Sequence, residues 1–107
     1  MILGSVGEVI AERKFMLRGD SSPDREVLVL LGKPQPFSDS TDYYCPYQIK
    51  GIGGEKIKYL GGVDAFQAIS FALQALGVEL QVLNQTVNGK LRWDGDETGS
   101  LGFSIPE

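Results

Sequence analysis

No histidine occurs anywhere in the chain. That removes Ser-His-Asp and Cys-His nucleophile arrangements, His-ligated metals and the commonest general base. The remaining side chain with nucleophilic potential is Cys45, the single cysteine. Alone it supplies one ligand where a structural zinc site takes a full tetrahedral set of nitrogen and sulfur atoms. Catalysis would require a cation or a helix N-terminus beside it to lower its pKa. It stands instead in Tyr43-Tyr44-Cys45-Pro46-Tyr47-Gln48-Ile49, a strand-forming context in which a free cysteine is expected as a small buried apolar residue.

Three other groupings invite chemistry and resolve into turns or caps. Asp94-Gly95-Asp96-Glu97 offers hard oxygen ligands but lacks the number and spacing of an EF-hand loop, so a solvated turn is expected. Gly51-Ile52-Gly53-Gly54 is no dinucleotide fingerprint, because Lys56 stands where the last glycine would fall and no helix opens there. Gly61-Gly62 ahead of a helix start could cradle an anion, but Asp64 already brings negative charge to that end. No catalytic constellation, metal site or cofactor is expected.

Arg13 is the most informative charge. In Val9–Leu17 it shares the alternating face of Val9, Ala11, Phe15 and Leu17, so its guanidinium points where a core should lie. One reading has it snorkel to water or pair with a carboxylate. The other makes it an anion- or carboxylate-binding residue at a cleft edge, with Gln48 and Cys45 as companions.

The elements that must position these residues follow from length and pattern. The 107 residues form one domain's worth of chain, 42% hydrophobic and 22% charged, which suits a single globular core over 1–107. The net charge of −4 is uneven: residues 1–60 hold eight basic and eight acidic side chains, residues 61–107 two and six. An acidic second half gives no electrostatic footprint for nucleic acid or anionic lipid. No unbroken apolar run reaches the ~18 residues of a membrane span. The opening residues lack the basic and apolar regions of a signal peptide, and a lone cysteine suits a reducing compartment. A cytoplasmic address is expected.

Val9–Leu17 alternates with period two and predicts a strand. Gly19–Asp24 is rich in turn formers. Glu26–Leu31 is a continuous apolar run, as in a central strand covered on both faces, and Gly32-Lys33-Pro34-Gln35-Pro36 ends it. Tyr43–Ile49 predicts another strand, placed by Pro46 at an edge or beside a bulge. A turn at Gly51–Gly54 leads into a fourth at Lys56–Leu60. Asn88-Gly89 signals a further turn. Leu91–Trp93 and Leu101–Ile105 are short alternating segments that would add a last hairpin.

Asp64 and Gln67 form a capping-box pattern, with Gln67 reaching back over the helix start. Ile69, Leu73, Leu76, Leu80 and Leu83 then recur at helical spacing. The alternation Val78–Val82 would also suit a strand, but the leucine series runs unbroken across Gly77. One helix over Asp64–Asn84 is expected. From Ala65 to Val78 it carries no charge, and its polar sector is confined to Gln67, Ser70, Gln74 and Gln81. A second apolar sector comprises Ala68, Phe71, Ala75, Val78 and Val82. A sheet covers one stripe of a helix. Loops or the C-terminal segment would cover the second sector, or it would meet another subunit.

Several blocks resemble, in order, a widespread bacterial family of small single-domain proteins of unknown function. They are Glu12-Arg13-Lys14, Leu31-Gly32-Lys33-Pro34, Cys45-Pro46-Tyr47-Gln48-Ile49, Gly62-Val63-Asp64-Ala65-Phe66-Gln67-Ala68, Leu91-Arg92-Trp93 and Gly99-Ser100-Leu101-Gly102-Phe103. The resemblance implies a bacterial source and a stand-alone domain, and brings no activity or site with it.

The expected fold is α+β, a four- to six-stranded, mainly antiparallel sheet with one long helix across one face. The leading functional expectation is a non-enzymatic interaction module, a homodimer or a binder of a protein partner, using Ala68, Phe71, Ala75, Val78 and Val82. The competing one is a small ligand-binding protein or enzyme using Arg13, Cys45 and Gln48.

Overall fold

A computed structural model describes residues 1–103 of the chain. The elements run β1 (Val9–Leu17), β2 (Arg25–Gly32), β3 (Gln35–Pro36), β4 (Tyr43–Lys50), β5 (Lys58–Gly62), α1 (Ala65–Thr86) and β6 (Leu91–Trp93). Every strand pairing is antiparallel. Strand β4 pairs with β2, β3 and β5, and β5 overlaps the stretches used by the other two. A strand has two edges, so β2 and β3 must share one of them as a single broken strand. Three residues, Gly32-Lys33-Pro34, lie there opposite the two residues Cys45-Pro46 of β4, between the pairs Leu31↔Tyr47 and Gln35↔Tyr44. This is a bulge, a position that tolerates a proline with no N–H to give. Pro46 is therefore beside a bulge and not on an edge.

Period-two alternation sorts the side chains onto two faces. The inner face carries Phe15, Val27, Val29, Leu31, Cys45, Tyr47 and Ile49, all buried. Helix α1 crosses this face over β4 and β5. It contributes Ala68, Ala72, Leu76 and Leu80 to the core. Leu76 and Leu80 are essentially fully buried, and each stabilises the contact by about 1.5–3 kcal/mol. Helix and sheet meet closely because of Gly62, where an added Cβ would stand 2.5 Å from the Ala68 backbone nitrogen. Strand β2 departs from expectation: Leu28 and Leu30 are only half-buried, since among the described residues no helix covers the outer face.

The cap forms as the sequence indicates. Gln67 N–H donates to Asp64 Oδ1 at 2.8 Å, and Val63 N–H donates to Gln67 Oε1 at 2.8 Å. The helix runs through Gly77 and ends two residues beyond the expected Asn84. Asn88 and Gly89 then take left-handed backbone angles, φ 57° and 74°, which turn the chain into β6. The fourth strand begins at Lys58 instead of Lys56. The loop after Gly51 extends through Glu55, whose carbonyl accepts from Gln48 Nε2 at 2.8 Å. Strand β6 pairs with β1, but residues 101–103 form no strand, and the remainder of the expected last hairpin lies outside the described residues. Asp96 closes the turn at 94–97 by accepting from Thr98 and Gly99.

Candidate functional site

Arg13, Cys45 and Gln48 do not converge. Cys45 points from β4 into the core, with no exposed surface and its thiol 3.5 Å from the Gly32 carbonyl oxygen. Burial pushes its pKa up to about 11, away from the thiolate that a nucleophile needs. Gln48 lies on the outer face, by alternation from buried Tyr47 and Ile49, and holds the Glu55 carbonyl. Arg13 shares the inner face with Cys45 but stands on β1, with β2 between them.

The register of β1 against β6 explains where Arg13 goes. Phe15 pairs with Trp93, which makes Arg13 the diagonal neighbour of the indole. The guanidinium carbon lies 4.2 Å from the Trp93 ring centroid and 4.8 Å from that of Phe103. Arg13 Nη1 donates to the Gly102 carbonyl at 2.7 Å. Cation–π contact and one hydrogen bond thus replace the expected carboxylate. The three ion pairs of the described residues are Lys14–Glu26, Lys58–Glu79 and Lys90–Asp20, and none includes Arg13.

Because α1 sits over β4 and β5, the inner face of β1 and β2 is roofed incompletely. A cavity of about 140 Å³ remains, lined by Ala11, Val29, Leu31, Leu73, Leu76 and Phe103, with Arg13 at its rim together with Glu12, which alternation turns to the outer face. It continues outward along Ser70, Gln74 and Gly102, which share Arg13, Leu73 and Phe103 with it.

The second arrangement is on the helix. Phe71, Val78 and Val82 are 38%, 43% and 54% exposed. At about 100° per residue they fall within about 40° of one another, on one flank. The expected sector is narrower than its sequence pattern: Ala68 is fully buried against the sheet and Ala75 half-buried, because both lie toward the core stripe. Phe66, 85% exposed, and Val63 stand near the helix start.

Glu79 is the only charged residue of α1. It turns toward the sheet, where Lys58 Nζ lies 2.5 Å from its Oε1. Tyr47, the cross-strand partner of Lys58, joins them; burial and then the Glu79 carboxylate push its pKa up to about 12. The helix's single charge is therefore neutralised inward, and its outer surface displays only amides, hydroxyls and apolar groups. Glu79 also fixes direction. It leans over β5, so the Phe71 flank lies on the β5 side and Leu73 on the side of β1. Among the described residues strand β5 pairs only with β4 and leaves an open edge there.

Sequence reading passed over this trio. Its signal was the isolation of Glu79 between Leu76 and Leu80, matched by Lys58 alternating with Leu60. Trp93 and Phe103 gave no local sign of holding Arg13, being 80 and 90 positions away. Helix α1 is long and apolar enough, by length and composition alone, to cross a bilayer. Uncharged Gln and Ser residues interrupt its apolar run without lowering the average much, so no unbroken run marks it. Here Leu76 and Leu80 of its leucine stripe are buried on the sheet, Ile69 and Leu83 are half-buried, and Leu73 is exposed.

Comparison with curated proteins and with solved structures returns no match. The model of a family described as a domain of unknown function, DUF6968, matches residues 11–105, nearly the whole chain, and the chain belongs to that family.

Proposed function

We propose that this domain is a non-enzymatic interaction module that self-associates through the outer flank of α1 beside the open edge of β5. The observation that carries this reading is the uncharged flank of Phe71, Val78 and Val82 on a helix whose one charge is paired inward. Interface centres are depleted of charge and enriched in aromatic residues, and contiguous apolar surface is scarce on monomers. The open edge of β5 adds unpaired backbone donors and acceptors, a second inducement to association. A two-fold pairing uses the same surface on both subunits, with Phe71 as the anchor and Ala75 permitting close approach.

The reading includes a bacterial, cytoplasmic setting, supported by the sequence blocks and the single buried thiol. It includes no nucleic-acid or membrane partner, supported by the acidic second half and by the packing of α1 on its own sheet. A catalytic site built from Arg13, Cys45 and Gln48 together has no support, because Gln48 faces the opposite side of the sheet and β2 separates Arg13 from Cys45. Light scattering on a sizing column tests the proposal: Phe71→Glu should elute as a folded monomer under conditions where the wild type is a dimer. A wild type that elutes as a monomer, or a variant that elutes with it as a dimer, would exclude this interface.

A further inference from the structure

We propose that the crevice beside Arg13 binds a small, apolar-tailed monocarboxylate of about six carbons in all. This is independent of the α1 flank, which lies on the other side of the helix.

The tail follows from the cavity. Its floor is Val29, Leu31 and Leu76, its walls Leu73 and Phe103, and its volume about 140 Å³. An apolar cavity of about that size accommodates a molecule the size of benzene. The opening continues to solvent past Ser70 and Gln74, which gives a ligand a way in.

The head group follows from Arg13. Among the described residues its one hydrogen bond is from Nη1 to Gly102, and it has no carboxylate partner. The rings of Trp93 and Phe103 occupy the face of the guanidinium, so its remaining donors project from the edge. Edge donors of a planar guanidinium match a carboxylate in two parallel bonds. A cation with no carboxylate partner among the described residues, at the rim of a largely apolar crevice, selects an anion and disfavours an amine. Inorganic phosphate would satisfy the charge but leave the apolar floor empty.

The test is a titration of the full-length, ¹⁵N-labelled protein with hexanoate, hexanol, hexylammonium and phosphate, followed by amide shifts. Hexanoate should bind saturably, moving Val29, Leu31 and Leu76, and at least about tenfold more tightly than hexanol or phosphate, the least a charge-assisted bond contributes. Ala11→Leu, at an exposed position on the crevice lip, should fold normally and weaken hexanoate by at least about tenfold as its side chain enters the tail's space. Arg13→Met should abolish the preference for hexanoate over hexanol. If that variant fails to fold, the wild-type comparison of the two ligands decides alone. Equal binding of hexanol and hexanoate would overturn the proposal. So would no saturable binding, unchanged affinity in Ala11→Leu, or shifts confined to Phe71, Val78 and Val82, the last pointing to the helix flank instead.

Discussion

Alkaline pH should destabilise this domain through strand β4. Cys45 and Tyr47 point from it into the core, 0% and 4% exposed. Burial raises the thiol from 9.0 to about 11. Burial, followed by the charge and hydrogen bond of Glu79, raises the phenol from 10.0 to about 12. In the unfolded chain both ionise at their ordinary values. A group whose folded pKa lies above its unfolded one adds stability that is whole below the unfolded value and lost as pH rises toward the folded one. The loss therefore begins near pH 9 with Cys45 and near pH 10 with Tyr47. Around pH 11 it totals roughly 3 to 4 kcal/mol, the larger share from Cys45. That is a large part of the about 5–15 kcal/mol that stabilises a typical domain. Urea unfolding followed by Trp93 fluorescence, from neutral pH to about 11, measures it. Cys45→Ala carries a constant packing cost at every pH but should gain about 2 kcal/mol on the wild type across that range. A gap between the two that does not change with pH would refute the reasoning. Rapid labelling of the folded thiol at neutral pH would refute it too, and would restore Cys45 as a candidate nucleophile.

Asp64→Ala should cost about 1 kcal/mol in thermal or urea unfolding, because the Gln67 N–H loses its acceptor. A melting temperature left untouched would show that the cap contributes nothing. Gly62→Ala should cost about 1–3 kcal/mol, since its Cβ would meet the Ala68 nitrogen and the Gln67 carbonyl carbon, backbone atoms that cannot swing aside. Gly54→Ala, whose added Cβ meets nothing within 4 Å, should stay within about 0.5 kcal/mol of the wild type and serves as the control.

The fold was legible where local pattern and tertiary demand coincide. Alternation in Val9–Leu17 and the leucine series of α1 mark one inward face, buried at Phe15, Leu76 and Leu80 though exposed at Val9, Ala11 and Leu73, so strand, helix and cap emerged from the sequence. The break at Gly32-Lys33-Pro34 was legible as an end but not as a bulge, because only the pairing of β4 shows the chain resuming on the same edge. Leu28 and Leu30 misled: a continuous apolar run implies cover on both faces, and this sheet has a helix on one. The start of β5 slipped because Lys56 is not a turn former, while Glu55 before it takes a left-handed backbone angle, φ 57°, and its carbonyl accepts from Gln48 Nε2.

The candidate sites were legible only as single residues. Arg13 stood out because a charge occupied a core phase, but its partners Trp93 and Phe103 are distant in sequence. The helix's second sector was visible by spacing. Its division into buried Ala68 and exposed Phe71, Val78 and Val82 depends on the angle at which α1 meets β5. Two contacts between α1 and β5, the close approach at Gly62 and the pairing of Glu79 with Lys58, are likewise invisible to local pattern.

Self-association is tested most directly by sedimentation equilibrium of the wild-type chain over a wide concentration range. One chain weighs 11.6 kDa. If the Phe71 flank pairs two subunits, the apparent mass should climb from that value toward twice it as concentration rises. Phe71→Glu should remain at the single-chain mass throughout. A wild type that stays at 11.6 kDa at every concentration would contradict the proposed interface.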